Sequence, residues 1–357
     1  MSIRENLVGI SEIAEISKVS KQAVANWRLR YDDFPKPLQQ LQSGPVWRRE
    51  SIEAWLKGFK GKETHVLSFI NLKGGVGKTT TAVAVAELLA QEERKHVLLI
   101  DLDPQTNATV TLISEERWSE MDRDGRTIAQ LFADRLNPRE APKFDIETAV
   151  ARRVSTINDG IARLDLLPSS IRLIDIQDLI PMIALAGNFT NPIEIVRSAL
   201  LPIIDRYDYV IIDCPPSLGT VTKNGLRIST GDVIPTIPDI VSTWGIYQIV
   251  DNIDRFTNDT GRSIPALGIV ATKVQSNNLH RRVIEDLKAG RLGRFGEPGA
   301  LSQPKLFAST IPQTVQVARG ADVDADFRTF KGKYGDAYEP LRALTKEISS
   351  ICEQKKH

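Results

Sequence analysis

The sequence predicts an α/β protein with a parallel-sheet domain, preceded by a small, mainly α-helical domain. Continuous Val/Ile/Leu runs alternate with helical stretches, which indicates a parallel sheet covered on both faces. A glycine-rich loop follows the first of these runs and opens a helix. The residues before that run contain short helices and a hairpin signal instead. We therefore expect two domains, a head of residues 1–60 and a body of residues 61–357, with a short linker at 57–64.

Composition is ordinary for a soluble globular protein of 357 residues, with 41% hydrophobic and 25% charged residues. The formal net charge is +1, but residues 1–62 hold 11 Lys and Arg against 7 Asp and Glu, so the head is basic. Cys214 and Cys352 have no metal-ligand spacing, and we expect reduced thiols. The sequence shows no secretory signal and no run of about 18 apolar residues that could span a membrane.

Seven apolar runs are the expected strands of the body. The first ends at the glycine-rich loop, and a helical pattern begins at Lys78 directly after it. A helix is also expected over 127–132, whereas the rest of 114–160 gives no clear pattern. The expected strands are 65–70, 96–101, 164–168, 209–213, 232–237, 267–273 and 305–312.

The head has the predicted element order of a winged helix-turn-helix domain. A short helix over 11–16 is followed by a tight turn and a second helix over 20–30. Val24 and Trp27 of the second helix would face the core of this domain. A hairpin signal at 43–45 and a final helical stretch complete the plan.

The stretch NLKGGVGKTTT, from Asn71 to Thr81, predicts a phosphate-binding loop. The strict pattern fails because Leu72 stands where its first glycine belongs, but the loop lies between a strand and a helix, as the chemistry requires. Glycines let backbone N–H groups converge on phosphate oxygens, and the helix N-terminus adds its positive end. Lys78 would neutralise the β and γ phosphates of a nucleotide, and Thr79 would offer its hydroxyl to Mg²⁺.

Three carboxylates follow strands of the predicted sheet. Asp101 and Asp103 end the second strand at positions i and i+2, so their side chains point to the same side. Asp213 ends a later strand, in the position of a Walker B carboxylate that holds magnesium-bound water. We expect Thr79, Asp101 and Asp213 to form the metal site, and Cys214 to be buried at the strand end.

The phosphate loop resembles the deviant Walker A motif of the ParA/MinD ATPases in the sequence KGGVGKTT. Three further segments resemble motifs of the ParA group: LLIDLDPQTNAT (98–109), LDLLPSSIRL (164–173) and DCPPSLG (213–219). The resemblance covers about residues 62–350. It implies that the body is a parallel-sheet P-loop NTPase domain with a deviant Walker A loop.

The same resemblance implies a slow, Mg²⁺-dependent ATPase that dimerises on ATP. Lys73 would cross the dimer interface to the partner's ATP, as the only cation of the motif free to do so. Asp103 would position the attacking water, so the implied catalytic residues are Lys73, Lys78 and Asp103. The implied nucleotide-binding residues are Lys73, Gly74, Gly75, Val76, Gly77, Lys78, Thr79 and Thr80, with Thr272, Lys273 and Pro312 around the adenine.

Some segments depart from the ParA pattern. Thr106 stands where the group usually has glycine, and a threonine there would stiffen the loop after Asp103. The segment ARGADVDADF (318–327) replaces one that usually reads close to AEAPSHG. The loop after ATKV (271–274) often carries an arginine in this group, and that arginine binds DNA without sequence preference. Here the basic residues are shifted along the chain, and they either bind DNA or form a solvated helix face. They are His280, Arg281 and Arg282, followed by Lys288, Arg291 and Arg294.

The head resembles the winged helix-turn-helix domains of the excisionase and MerR type, in SEIAEISKVSKQAVANWR (11–28) and VWRRESIEAWL (46–56). That resemblance implies a second helix in the DNA major groove and a wing on the phosphates. The alternative is a helical interaction module that binds no DNA. The expected DNA contacts are Lys21, Gln22 and Arg28 in the groove, Arg48 and Arg49 on the wing, and Arg281 and Arg282 on the body.

The leading hypothesis is a plasmid- or chromosome-partitioning ATPase that positions cargo. Its head would bind an operator and so repress transcription of the protein's own operon. Expected partners are a second copy of the chain, a ParB-like centromere-binding or adaptor protein, and double-stranded DNA, in the cytoplasm and at the nucleoid. The alternative is a transcription regulator that uses ATP as a dimerisation switch without cargo.

Two related classes are excluded on sequence grounds. A MinD-like membrane ATPase needs an amphipathic C-terminal helix, and LTKEISSICEQKKH (344–357) lacks its bulky apolar face, so no membrane partner is expected. Iron–sulfur chemistry needs paired cysteines, which this sequence lacks.

Overall fold

The chain divides into two compact units, each with its own hydrophobic core. One comprises residues 1–64 with 198–208, and the other comprises residues 65–197 with 209–357. The computed structural model describes residues 7–17, 21–30, 34–41, 44–58, 64–180, 191–261, 263–291, 295, 301–314 and 327–354.

The first unit contains helices and a hairpin in the order expected for the head. Its three strands form an antiparallel arrangement in the order β1-β3-β2. The expected turn at 43–45 is wrong in position, because Gly44 and Pro45 already belong to β3. Residues 42–43, which connect β2 and β3, lie outside the described residues. The elements are β1 (Leu7–Val8), α1 (Ile10–Ser17), α2 (Lys21–Arg30), β2 (Gln39–Leu41), β3 (Gly44–Arg48) and α3 (Arg49–Gly58).

Aromatic side chains fill the core of this unit. Trp47 is fully buried, and its indole nitrogen donates a hydrogen bond to the carbonyl of Pro35 at 2.8 Å. Phe34 packs edge-on against Trp47, with ring centroids 5.8 Å apart. Val24 and Trp27 of α2 are buried in the same cluster, as the sequence predicts.

The second unit is built on a six-stranded parallel sheet in the order β6-β5-β7-β4-β8-β9. Every residue of β4, β5, β7 and β8 is buried, because strands of a parallel sheet are covered on both faces. The phosphate loop follows β4, whose neighbours in the sheet are β7 and β8. The strands are β4 (His65–Phe69), β5 (Val97–Asp101), β6 (Leu164–Leu167), β7 (Tyr209–Asp213), β8 (Gly231–Thr236) and β9 (Ala266–Ala271).

Helices connect these strands and cover the sheet. The segment 114–160 contains α6, α7 and α8, and α7 lies at the helix expected over 127–132. None of the helices that the structure describes has the length and apolar character that a bilayer crossing requires. The helices are α4 (Lys78–Gln91), α5 (Asn107–Leu112), α6 (Glu115–Arg123), α7 (Ile128–Leu136), α8 (Ile146–Ala149), α9 (Leu173–Leu179), α10 (Ile195–Leu200), α11 (Thr220–Ile228), α12 (Ile240–Thr260), α13 (Asn278–Lys288), α14 (Phe330–Tyr334) and α15 (Tyr338–Gln354).

The expected strand over 305–312 is wrong. This segment runs beside β9 but forms only isolated bridges, Leu306 with Ile269 and Pro312 with Val274. The reason lies between the bridges, where the backbone N–H groups of Ala308 and Ser309 donate to the carboxylate of Glu347 instead of to a neighbouring strand.

Candidate nucleotide-binding site

The phosphate loop is shaped by glycines at its turn positions. Gly75 and Gly77 have φ angles of +72° and +81°, in the left-handed region that glycine adopts without strain. Gly77 is the N-cap of α4, and no side chain caps the helix there. The first N–H groups of α4 therefore lack a capping side chain and can bind an anion, whose negative charge the helix dipole also favours.

Lys78 lies over its own loop at the start of α4. The side chain is buried, and its ammonium group lies 3.4 Å from the carbonyl oxygen of Lys73. A cavity of about 390 Å³ opens in front of the loop. Its volume is in the range of a small-molecule site. It is lined by Gly74, Gly75, Gly77, Lys78, Thr79, Thr80, Val83, Asp103, Gln105, Asn107, Val110, Thr111, Pro216, Lys273, Lys333 and Tyr334.

Two buried carboxylates end adjacent strands next to this cavity. Asp101 of β5 and Asp213 of β7 are paired in register, and neither side chain is exposed. Burial raises the pKa of Asp101 to about 7. Burial and the neighbouring Asp101 carboxylate raise the pKa of Asp213 well above its usual range, which the nearby Thr79 hydroxyl only partly offsets. Two like charges held this close favour a bound cation.

The segment after β5 is held by Asp101. One oxygen of Asp101 accepts a hydrogen bond from the backbone N–H of Asp103 at 3.0 Å, and the other accepts from the N–H and hydroxyl of Thr109 at 2.9 and 2.7 Å. Asp103 itself lines the cavity, accepts a hydrogen bond from the N–H of Gln105, and has a pKa raised by burial. The sheet carboxylate thus fixes both ends of the segment that carries Asp103.

Thr106 in this segment has a φ angle of +56°, in the left-handed region. A β-branched residue is strained there, and the strain costs on the order of 1 kcal/mol or more. Its side chain is almost completely buried. Thr106 is thus a strained backbone position in this loop, and the stiffening expected from it stays a prediction.

Lys73 is not free in the isolated chain, contrary to the expectation. Its ammonium group lies 3.2 Å from Oδ2 of Asp239 and donates to the hydroxyl of Ser242 at 2.8 Å. Asp239 is the N-cap of α12, and Ser242 lies in the first turn of that helix. Lys73 is also absent from the residues that line the cavity. Any contact of Lys73 with a second subunit would first require the loss of this ion pair.

The expected adenine residues separate into two groups. Lys273 lines the cavity. Thr272 is buried behind the phosphate loop, where its hydroxyl donates to the carbonyl of Val76 at 2.6 Å. Val76 is fully buried, and Pro312 bridges to Val274 outside the cavity lining. Thr272 and Val76 therefore support the loop from behind.

Sequence reasoning missed the wall of the cavity formed by α14. Lys333 and Tyr334 line it, and both bind the fully buried carboxylate of Glu87 on α4, at 2.7 and 2.6 Å. Ser155 donates to the same carboxylate at 2.6 Å. These residues have no common motif and lie far apart in the sequence. The only available signal is a glutamate in an otherwise apolar helical pattern.

The expected DNA contacts of the head lie mostly on its surface. Lys21, Arg28 and Arg48 are exposed, and the guanidinium of Arg28 lies 5.1 Å from the ring centroid of Trp47. Arg49 is half-buried and pairs with Glu53 at 3.6 Å. The side chain of Gln22 lies outside the described residues.

The basic group of the body is smaller than expected. Arg281 and Arg282 are exposed on α13, as is Lys288. His280 is buried, because its Nδ1 accepts a hydrogen bond from the backbone N–H of Gln275, and it is not part of a basic surface. Arg291 pairs with Asp286 at 3.3 Å, and Arg294 lies outside the described residues.

A magnesium ion fits this donor set only together with phosphate oxygens. No cluster of three or more His, Cys, Asp or Glu side chains in the described part of the chain could hold a metal by itself. However, no described residue donates a well-aligned hydrogen bond to either oxygen of the buried Asp213, and the Thr79 hydroxyl lies nearby. Mg²⁺ is typically bound by one or two carboxylates, water and substrate phosphates.

Comparisons with known proteins agree with the fold. A family model, AAA_31, described as an AAA domain, matches residues 64–265. The chromosome partitioning protein ParA of Myxococcus xanthus (strain DK1622) is 30% identical over 274 residues, which cover 74% of this chain and 82% of that protein. The sporulation initiation inhibitor protein Soj of Bacillus subtilis (strain 168) is 29% identical over 255 residues, which cover 71% and 86%.

Two solved structures are similar over most of the chain. A putative plasmid partition protein from Borrelia burgdorferi B31 bound to AMPPNP has a TM-score of 0.58 and 22% identity, covering 82% of this chain and 100% of that one. Cobyrinic acid a,c-diamide synthase from Mycobacterium smegmatis with a bound ATP analog and magnesium has a TM-score of 0.61 and 25% identity, covering 82% and 97%.

Proposed function

Since this chain belongs to the ParA-type P-loop ATPases of the AAA_31 family, we propose that it is a DNA-partitioning ATPase that binds ATP with Mg²⁺ and hydrolyses it slowly. One observation carries this proposal: a single cavity brings together the phosphate loop, Lys78 and Asp103, beside the buried pair Asp101 and Asp213. The similarity to ParA of Myxococcus xanthus and to Soj supports the partitioning role.

The residues around the cavity have proposed roles in phosphoryl transfer. The loop N–H groups of 74–80 and the ammonium of Lys78 hold the triphosphate, whose negative charge they neutralise. Thr79 and Asp213 would hold Mg²⁺, with Asp101 paired in register with Asp213, and the ion would supply charge stabilisation at the phosphates. Asp103 also lines the cavity, and its carboxylate would orient the attacking water.

Lys73 acts in the dimer rather than in the isolated subunit. Two ATP-bound subunits that face each other bring their triphosphates together, and this repulsion needs cations between them. Lys73 provides one when it leaves Asp239 and reaches the partner's ATP. The bound nucleotide then becomes part of the interface, so the dimer forms with ATP and loosens with ADP.

DNA is bound in two ways. The head recognises an operator through Lys21, Gln22 and Arg28, with Arg48 and Arg49 on phosphates, and represses its own operon. The body holds DNA without sequence preference through Arg281 and Arg282, which are exposed on one helix. A ParB-like centromere-binding or adaptor protein stimulates hydrolysis and connects the ATPase to its cargo at the nucleoid.

The proposal is tested by trapping the ATP-bound state. Asp103→Ala should still bind Mg-ATP and should accumulate as a dimer, because the water loses its orienting carboxylate while the phosphate contacts remain. Analytical ultracentrifugation with ATP and with ADP measures the dimer, and phosphate release measures turnover. Hydrolysis at the parent rate in Asp103→Ala would contradict the role of Asp103, and a parent chain without ATP turnover would contradict the proposal.

The alternative of an ATP-switched regulator without cargo gives a different result in the same assays. Such a protein would bind its operator in an ATP-dependent manner, and no protein encoded beside it would raise its ATP turnover. A partitioning ATPase is instead stimulated by its adaptor in the presence of DNA.

A further inference from the structure

The first turn of α12 exposes three large apolar side chains. Ile240 is 59% exposed, and Val241 and Trp244 are each 72% exposed. No other large apolar side chain among the described residues is more exposed than the latter two. The three positions are spaced i, i+1 and i+4, so they lie on one side of the helix. We call these three residues the α12 patch.

The opposite side of α12 already supplies the core. Ile246, Ile249, Ile253 and Phe256 are buried, as are Ser242 and Thr243 in the first turn. The helix is therefore anchored without the α12 patch. A tryptophan and two aliphatic side chains left in water favour association with an apolar surface.

The α12 patch lies beside the phosphate loop. Asp239 and Ser242, which hold the ammonium of Lys73, belong to the same helical turn as the patch. Asp239 also caps this turn, accepting a hydrogen bond from the N–H of Ser242 at 2.6 Å. The α12 patch and the residues that hold Lys73 therefore belong to one helical turn, so an interface that includes Lys73 can extend onto the patch.

The chemistry of the patch limits its occupant. Residues 240–250, IVSTWGIYQIV, contain no charged side chain, so this turn offers no cation for DNA phosphates and no basic face for a lipid surface. An uncharged aromatic and aliphatic cluster is instead typical of the buried centre of a protein–protein interface.

We propose that the α12 patch is buried against a second copy of this chain in the ATP-bound dimer. This inference rests on the proposed function, because it takes the dimer to be the state in which Lys73 meets the partner's nucleotide. A dimer related by two-fold symmetry uses the same surface on both subunits, so the interface contains two copies of the patch, one from each subunit. The phosphates then supply the ATP dependence, and the α12 patch supplies apolar contact area.

The test compares dimer affinities in the Asp103→Ala background with Mg-ATP. Trp244→Ala should weaken dimerisation at least tenfold, while the ATP affinity of the monomer stays unchanged, since the patch does not line the cavity. Ile240→Ser should also weaken the dimer. Ile171→Ser is the matched control, because Ile171 is equally exposed at 59% but follows β6 at the edge of the sheet.

Fluorescence gives a second measurement that does not depend on a weakened variant. Trp244 is the exposed tryptophan of the body, and subtracting the signal of Trp244→Phe isolates its contribution. Its quenching by acrylamide should fall when the Asp103→Ala chain binds ATP and stay high with ADP. Unchanged quenching would contradict burial of the patch.

The outcomes separate this inference from the proposed function. If the Asp103→Ala chain forms an ATP-dependent dimer whose affinity neither Trp244→Ala nor Ile240→Ser changes, the inference is wrong and the proposed function stands. The inference is equally wrong if these variants lose only stimulation by an adaptor, because the patch then binds that partner. If no ATP-dependent dimer forms at all, the proposed function fails first.

Discussion

The ammonium of Lys73 lies 3.2 Å from Oδ2 of Asp239, so the lysine expected to act between subunits is paired inside its own subunit. Both side chains are partly exposed, at 37% and 26%, and an ion pair of this kind contributes only about 0–1 kcal/mol. The pair is therefore weak enough to be exchanged for a contact with a phosphate. In the proposed mechanism, this ion pair competes with the contact that Lys73 makes in the dimer.

Asp239→Asn should strengthen the ATP-dependent dimer by about two- to fivefold, because it removes the competing charge, which contributes up to about 1 kcal/mol. Asparagine still caps α12, so the helix should keep its stability. The measurement is the dimer dissociation constant with Mg-ATP in the Asp103→Ala background. Ser242→Ala, which removes a neutral partner, should have a smaller effect. A weaker dimer in Asp239→Asn would show that Asp239 supports the interface directly.

Mixing two inactive variants tests whether Lys73 acts in trans. Lys73→Ala should bind ATP, since the loop and Lys78 remain, but should not hydrolyse it. Lys78→Ala should lose nucleotide binding but keep Lys73. In the mixed dimer, one ATP is held by the first subunit and reached by Lys73 of the second, so ATP turnover should partly return. If a range of mixing ratios gives no turnover, Lys73 acts within its own subunit or not at all.

Magnesium affinity should depend on pH through the buried pair Asp101 and Asp213. Their pKa values are raised, to about 7 for Asp101, so protons compete with Mg²⁺ below that pH. Affinity for Mg-ADP should therefore rise with pH through the range in which Asp101 ionises, near pH 7, by up to about tenfold per pH unit for each proton that the ion displaces. Calorimetric titration measures it, and Asp213→Asn should give a flatter profile.

The same raised pKa values determine the stability of the metal-free protein. A carboxyl group whose pKa is higher in the folded state binds more protons there, so its contribution to stability is present at low pH and is lost as the pH rises through about 7. The melting temperature without Mg²⁺ should accordingly fall as the pH rises from about 4 to about 7. The fall should be smaller in Asp213→Asn.

The buried ion pair between Glu87 and Lys333 should be costly to break on one side only. Lys333→Met leaves the Glu87 carboxylate buried without its cation, which should reduce the free energy of unfolding by about 3–5 kcal/mol. The double variant with Glu87→Leu should recover much of this loss. Thermal unfolding measures both, and Lys95→Met, which breaks an exposed pair with Glu353, should change stability by less than about 1 kcal/mol.

DNA binding should separate into a specific and a nonspecific part. Lys21→Ala and Arg48→Ala should weaken operator binding without changing ATP turnover. Arg281→Ala with Arg282→Ala should weaken binding to any DNA, and the salt dependence should lose a log–log slope of about 0.9 for each phosphate contact removed. Loss of operator specificity in the body variant alone would contradict this division.

Much of the body could be predicted because its signals are local. Six of the expected strands are present, and the glycine-rich loop lies between β4 and α4. A buried parallel strand is a continuous apolar run, and a phosphate loop is a contiguous motif, so both can be identified from neighbouring residues. The strand expected at 305–312 shows the limit, since its backbone N–H groups bind a glutamate from a distant helix.

The contacts that sequence reasoning missed depend on distant parts of the chain. Lys73 and Asp239 are 166 residues apart, and Glu87 and Lys333 are 246 residues apart. Only the folded sheet brings these parts of the chain together. His280 was expected on a basic surface, but its ring is turned inward by a hydrogen bond from Gln275 that no periodicity reveals.

The hydrogen bonds of Asp101 attach the segment from Asp103 to Thr109 to the sheet at two points. Because both points are attached, a movement of this segment relative to the sheet would require a change of backbone angles between them, where Thr106 is strained. In the proposed mechanism, Asp103 would then approach or leave the attacking water through a local change of backbone angles in this segment. The waiting time before hydrolysis would then depend on how easily one threonine changes conformation, independently of how tightly ATP is held.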